Sequence, residues 1–208
     1  MLWSILIPSI PERYHTAQGL LFSLLESQSI ARMQDVELLV LMDNKRRSVG
    51  AKRNALLEMA QGEYVSFIDD DDEVATDYVQ KIYRLIAKTR KEKTPADVIC
   101  FPQRATLVNQ GVVHECTYSL AHWKDREPDK RRQLAPTDKP NTLAWSGPPA
   151  HTMVWRREIA QSAKFPEKNF GEDVDWVDAV CEKAKTEIVL SGEPLYLYKF
   201  DSERTATR

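Results

Sequence analysis

Four consecutive acids, Asp69-Asp70-Asp71-Asp72, follow directly on the apolar run Tyr64-Val65-Ser66-Phe67-Ile68. Adjacent carboxylates repel, and each raises the proton affinity of its neighbours unless a cation is present. Mg2+ and Mn2+ are hard ions that relieve such repulsion, and they are typically held by one or two carboxylates together with substrate phosphates. If the chain stays extended, Asp69 and Asp71 point to one side and Asp70 to the other. The competing reading is an acidic turn ahead of the helix expected from residue 75, because Asp favours a helix start. Asp72 suits that second role; the cluster as a whole suits a metal or nucleotide site. A further acid with chemical promise is Asp173, three and four positions before Trp176 and Val177 and therefore on the apolar side of its own helix.

The elements that must position these groups follow from the apolar pattern. Strands are expected at 2–7, 36–42, 64–68 and 98–101, alternating with helices at about 12–28, 48–62 and 75–91. Ser48 is a candidate cap and Gly62 a candidate stop for the second helix, whose apolar stripe would run through Ala51, Ala55, Leu56, Met59 and Ala60. Such alternation predicts an α/β fold with a mostly parallel central sheet and helices on both faces. Ligands of these sheets bind beyond the carboxyl ends of the strands. Three polar clusters fall there: Pro8-Ser9, Asp43-Asn44 and the acids from Asp69. The sequence has neither a GxGxxG after its first strand nor a GxxxxGK[ST], which excludes the dinucleotide fingerprint and the P-loop.

The second half changes character. A hairpin is expected from 104–108 and 112–118 through Asn109-Gln110-Gly111, then a long polar loop at 122–140. A strand at 151–155, a helix opening at Gly171-Glu172-Asp173, and short strands at 188–190 and 195–198 complete a smaller, antiparallel portion. A lone histidine in an apolar strand is more often a satisfied core residue than a catalyst, so His151 stays outside the catalytic set.

With 208 residues, 42% hydrophobic and 29% charged, the chain has the composition of an ordinary globular protein and is expected to form one unit. Its halves would be 1–101 and 102–200, with a tail at 201–208. A formal net charge of -2 gives no global pull toward nucleic acid or anionic membranes. The three cysteines lack CxxC spacing, which argues against a disulfide framework or zinc site. The opening residues lack a basic leader and are too short for a membrane segment. A cytoplasmic place without stable membrane association is the expectation.

Taken in order, Leu6-Ile7-Pro8-Ser9, Leu39-Val40-Leu41-Met42-Asp43, Gly50-Ala51-Lys52-Arg53-Asn54, the stretch from Gly62 to Asp72, and Phe170-Gly171-Glu172-Asp173 resemble a family 2 glycosyltransferase of the GT-A fold. The likeness is close over residues 1 to about 85 and looser over about 145 to 200. It implies a nucleotide-sugar donor, commonly a UDP-sugar, and Mn2+ or Mg2+ as cofactor. Pro8, Ser9 and Asp43 then resemble the positions that hold the base, and Arg53 the basic residue near the nucleotide. Asp69 resembles the residue near the ribose, Asp70 the middle position, and Asp71 the direct metal ligand. Asp173 resembles the catalytic base of inverting members. Met42-Asp43-Asn44-Lys45 departs from the paired acids and Gly-Ser turn more common in the family, which leaves the base open.

The acceptor is less legible. Trp145, near Gly147, and Glu172 are the acceptor-side candidates. The stretch 122–132 mixes basic residues with Trp123, which reads either as a solvated loop or as a grip on a phosphate backbone. Small soluble proteins that this chain resembles include viral enzymes, working in the host cytoplasm, that glycosylate hydroxymethylated pyrimidines in DNA; a saccharide or lipid-linked acceptor is the other reading. Outside the enzyme class stands an inactive nucleotide-sugar or glycan-binding module, and outside sugar transfer a nucleotidyltransferase, which would also use acids and a metal.

Overall fold

Every residue of Trp3–Ser9 (β1) is buried, the pattern of a strand covered on both faces. The computed structural model describes residues 1–27, 30–125 and 134–201. After β1 come α1 (Tyr14–Phe22), β2 (Val36–Met42), α2 (Val49–Met59), β3 (Tyr64–Phe67), β4 (Glu73–Val74), α3 (Tyr78–Glu92) and β5 (Val98–Cys100). The second half holds β6 (Gln103–Leu107), β7 (Val112–Tyr118), α4 (Leu120–Lys124), β8 (Ala135–Pro136) and β9 (Thr142–Gly147). It ends with β10 (Val154–Arg156), α5 (Arg157–Ala160), α6 (Glu172–Cys181), β11 (Glu187–Val189) and β12 (Tyr196–Phe200).

The first sheet has six strands in the order β11-β5-β10-β3-β1-β2. It is parallel except for β10, which runs against both of its neighbours. The expectation of a mostly parallel sheet between helices is met. On one face Phe67 meets Phe165 and Trp176 of the α6 side; on the other Trp3 meets Tyr78 of α3. Trp176 stacks on Phe165 with centroids 4.5 Å apart, and offset or edge contacts of this kind add roughly 0.5–1.5 kcal/mol each beyond the burial of their area.

The second sheet is larger than the hairpin signals suggest. It also has six strands, ordered β4-β12-β6-β7-β9-β8, and its directions are mixed, with β6 parallel to β12 and β7 parallel to β9. The predicted hairpin is the antiparallel β6–β7 pair. One buried apolar cluster reaches from β1 into both sheets, ending at Leu195 and Tyr196. Cys100, Cys116 and Cys181 are buried free thiols.

Several boundaries differ from expectation for local reasons. The helix expected at 12–28 is broken into a 3-10 turn at Pro11–Arg13, α1, and a π-helical turn at Ser23–Ser27; Pro11 sets the entry. The helix expected from residue 75 begins at Tyr78, because Glu73 and Val74 pair with β12 instead. In α2 the inward face carries Lys52, Arg53, Leu56 and Leu57, and Met59 of the expected stripe is exposed. His151 and Thr152 belong to a turn before β10, not to the strand itself. The stretch 126–133, central to the expected polar loop and its basic cluster, lies outside the described residues.

Candidate active site

The register of the central strands brings the polar clusters together. Ser9 is level with Met42 at the ends of β1 and β2, and Leu6 is level with Phe67, so Asp43 and the acids from Asp69 emerge on the same edge. Ser9 donates its hydroxyl hydrogen bond to Asp70 over 2.7 Å. Lys52, almost fully buried, reaches the Ser9 carbonyl at 2.8 Å and Asp43 at 2.7 Å. Against the effect of burial, this ammonium holds the Asp43 carboxyl below its ordinary range.

The acidic stretch does not continue the strand. The Asp72 N–H donates to the Asp69 carbonyl over 3.1 Å, closing a turn that sends the four carboxylates in different directions. Asp69 points to Arg53 and His151, Asp70 to Ser9 and Arg13, and Asp71 to Arg13 at the rim of a cleft. Asp72 is buried, accepting hydrogen bonds from the Tyr196 hydroxyl at 2.6 Å and the Lys199 N–H at 3.0 Å. The expected alternation of Asp69 and Asp71 against Asp70, and the expected helix-starting role of Asp72, are both corrected by this turn. Asp72 instead ties the acidic turn to β12 of the second sheet. Burial and the neighbouring acids Asp69 and Asp70 push Asp71 up to about 6, even with Arg13 beside it.

Arg53 is the hub. Ser48 caps α2 by accepting from the Ala51 N–H, which fixes the first turn and sets Arg53 on the buried face. The guanidinium pairs with Glu172, lies 2.8 Å from Asp69 and 3.0 Å from His151, and sits over the Phe67 and Phe165 rings. A bare arginine would not survive in this apolar setting; two carboxylates and two ring faces hold it there. Asn54 clamps the backbone of Phe165 in both directions, at 2.9 Å each way. Gly50 allows the approach, since a Cβ there would lie 1.9 Å from the Pro166 carbonyl oxygen.

That close contact docks the loop leading to α6. Gly171, at φ +71°, turns the chain into the helix in a conformation that side chains other than glycine rarely adopt. Glu172 then turns inward to Arg53 and is 4% exposed, whereas Asp173 is partly open to solvent. The His151 imidazole joins the two acidic centres, with Nε2 3.3 Å from Asp69 and Nδ1 3.4 Å from Asp173. Burial and Arg53 work against a charged imidazole, but the two carboxylates prevail and raise its pKa. Burial likewise opposes ionisation of Asp173, yet His151 and Arg53 bring it down to about 2. Asp69 is held well below the ordinary carboxylate range, burial being outweighed by Arg53 and His151.

The predicted residues thus fall into one connected group: Ser9, Asp43, Arg53, Asp69, Asp70, Asp71 and Asp173, with Pro8 buried in β1 beside Ser9. Glu172 belongs to the Arg53 side of this group. Trp145 stands apart in β9, edge-on to Tyr118 at 5.4 Å. Sequence reasoning misses His151, Lys52 and Arg13. The adjacent cations Lys52 and Arg53 ahead of a short apolar stripe are a usable signal for one of them. A cleft of about 1000 Å³ opens beside Asp71, bounded by Arg13, Thr16, Ser23, Lys45 and Lys199. Its size suits a nucleotide-sized ligand, but of the predicted site residues only Asp71 lines it; Pro8, Ser9, Asp43, Arg53, Asp69 and Asp173 do not.

Two mixed sheets, an acidic turn at the end of a central strand and a facing carboxylate at a helix start define the class as the GT-A fold. Solved structures of S. aureus TarS 1-349 share it. The complex with UDP-GlcNAc matches at TM-score 0.62 and 18% identity, covering 97% of this chain and 59% of that one. The complex with UDP matches at TM-score 0.60 and 17% identity, covering 98% and 62%. A further TarS 1-349 structure gives 0.59 and 17%, covering 96% and 60%. At such identity the likeness is one of fold, and the chain spans about three fifths of the length of those structures. No curated protein sequence matches the chain. The family model of glycosyl transferase family 2 matches residues 6–141, more than half of the sequence, and the chain belongs to that family.

Proposed function

We propose that the protein transfers a sugar from a UDP-sugar to a hydroxyl group of an acceptor, with inversion at the sugar carbon. The observation that carries this reading is the connection of the acidic turn to Asp173 through His151 and Arg53, which sets a donor-side anion site and a carboxylate base in one group. Pro8, Ser9 and Asp43, with Lys52 behind them, form the base-binding edge. Asp69, held by Arg53, serves the ribose side, and Asp70 fixes the turn to β1 through Ser9.

Asp173 takes the proton of the attacking hydroxyl as that oxygen bonds to the sugar carbon and the bond from the carbon to the diphosphate oxygen breaks, releasing UDP. At neutral pH its carboxylate is ionised and oriented by His151. Glu172 holds Arg53 in place, and Trp145 is left to the packing of the second sheet. The chain reads as one unit with a donor half over 1–101 and an acceptor half over 102–200; the halves interleave, with β10 and β11 in the first sheet and β4 in the second, and Asp72 meets Tyr196 between them.

The residues fit a divalent cation of the Mn2+ or Mg2+ type. Asp71 offers a hard oxygen at the cleft, and its pKa is raised first by burial and then by the neighbouring Asp69 and Asp70, whose charge a cation would relieve. Among the described residues no three His, Cys, Asp or Glu side chains are grouped to hold an ion by themselves, so diphosphate oxygens and water would complete the ligand set. When bound, the ion neutralises charge on the departing diphosphate.

No helix among the described residues is long and apolar enough to cross a membrane. Thermal shift with a panel of nucleotide-sugars, with and without Mn2+, tests the donor. UDP-sugars should raise the melting temperature most, by mass action on the folded state. A panel in which no nucleotide-sugar binds contradicts the reading. Transfer assays on oligosaccharides and on DNA carrying hydroxymethylated pyrimidines then separate the two acceptor classes.

A further inference from the structure

Arg13 follows β1 in the turn that Pro11 opens, and its guanidinium is drawn into the acidic turn. Nη1 lies 2.8 Å from an Asp70 oxygen and Nη2 lies 3.0 Å from an Asp71 oxygen. This is not a loose surface pair: the Arg13 side chain is 18% exposed, against 58% for Lys45 in its own pairing with Glu12. Asp70 is pinned from its other side by Ser9, so the fork cannot slide along the turn without breaking two contacts. Arg13 also forms part of the wall of the cleft that Asp71 borders. A planar fork of N–H donors matches a carboxylate pair and a phosphate equally well.

We propose that Arg13 is the resident counter-cation of the donor site. Without nucleotide it occupies the Asp71 oxygen that a divalent ion would take; when a nucleoside diphosphate enters, the guanidinium turns from Asp71 to the phosphates and leaves that oxygen to the metal. The second half rests on the sugar-transfer reading; the first concerns the protein alone. A divalent ion by itself must compete with Arg13 for the Asp71 oxygen and binds weakly. Metal and diphosphate therefore bind with positive coupling, and such coupling is reciprocal.

The consequence has opposite signs for the two ligands. Arg13→Gln frees Asp71 for the metal but leaves the diphosphate without its guanidinium, so Mn2+ alone binds tighter and UDP alone binds weaker. A residue with a merely structural role would weaken both. Free Mn2+ is followed by its electron paramagnetic resonance signal in nucleotide-free protein, and UDP by calorimetry in chelator-treated buffer. The expected result is a gain in Mn2+ affinity of roughly tenfold for Arg13→Gln, within the usual span of such couplings. The gain is smaller for Arg13→Lys and absent in Arg13→Gln combined with Asp71→Asn. UDP should tighten Mn2+ in the unmodified protein, and this coupling should shrink in Arg13→Gln, because ligation by the diphosphate remains while release of Asp71 by Arg13 no longer contributes. A coupling of undiminished size in Arg13→Gln counts against the proposal. Unchanged or weaker Mn2+ binding in Arg13→Gln, or a gain that persists without the Asp71 carboxylate, overturns the proposal. Failure of UDP to bind any form, with the Mn2+ gain intact, counts instead against the sugar-transfer reading.

Discussion

Nδ1 of His151 lies 3.4 Å from a carboxylate oxygen of Asp173, so a buried imidazole holds the group assigned as base. The histidine pKa is raised above 6.5, and its contribution to stability is present below 6.5 and lost as pH rises through the raised value. The Asp173 pKa is lowered from 3.8 to about 2, and its contribution is present above 3.8 and lost as pH falls through about 2. Both contributions are complete only between 3.8 and 6.5. His151→Gln should therefore destabilise the protein more near pH 5 than near pH 9, as read from urea midpoints at the two values. A deficit independent of pH contradicts the ion pair.

Arg53 serves two buried carboxylates at once. Arg53→Ala leaves Glu172 without its cation and Asp69 with His151 alone, and breaking a buried pair from one side costs about 3–5 kcal/mol. Combining it with Glu172→Gln should recover part of the loss, because one stranded charge is removed. Chemical denaturation of the single and double variants checks this. A single-variant loss below about 1 kcal/mol would place Arg53 among ordinary surface pairs.

Tyr196 joins the sheets at the acidic turn. Its hydroxyl accepts from the Asp69 N–H at 3.1 Å and donates to Asp72 at 2.6 Å. Tyr196→Phe leaves both groups short of a partner and should cost about 1–3 kcal/mol, the range for stranding buried polar groups. Because Asp69 loses one of its anchors, donor affinity should fall as well. Melting and UDP titration of the same preparation test the two effects together, and an unchanged melting curve speaks against the bridge.

Much of this arrangement is legible in the amino-acid sequence, and the reasons are local. The strands of the central sheet are short apolar runs with polar ends, and their parallel pairing sends Ser9, Asp43 and Asp69 to one edge by topology alone. The cap at Ser48 is likewise written in adjacent residues. What escapes is decided at long range or by a turn. His151 looks like a core residue because neither Asp69 nor Asp173 is near it in sequence. Arg13 gives no periodic signal in a 3-10 turn. Asp72 looks like a helix starter because nothing nearby announces that Glu73 and Val74 will pair with β12. The buried face of α2 is misjudged because hydrophobic patterning assigns Lys52 and Arg53 to solvent, whereas carboxylates elsewhere in the chain draw both inside.

The central claim is that Asp173 takes the acceptor proton at a site where the donor is bound by other residues. The direct measurement is Asp173→Asn, assayed for transfer from its best UDP-sugar and, in the same preparation, for donor affinity by calorimetry. Transfer should fall by about 10²–10⁴, the usual contribution of a positioned general base, while donor affinity stays unchanged. Transfer at the parent rate, or loss of donor binding along with activity, would contradict the assignment.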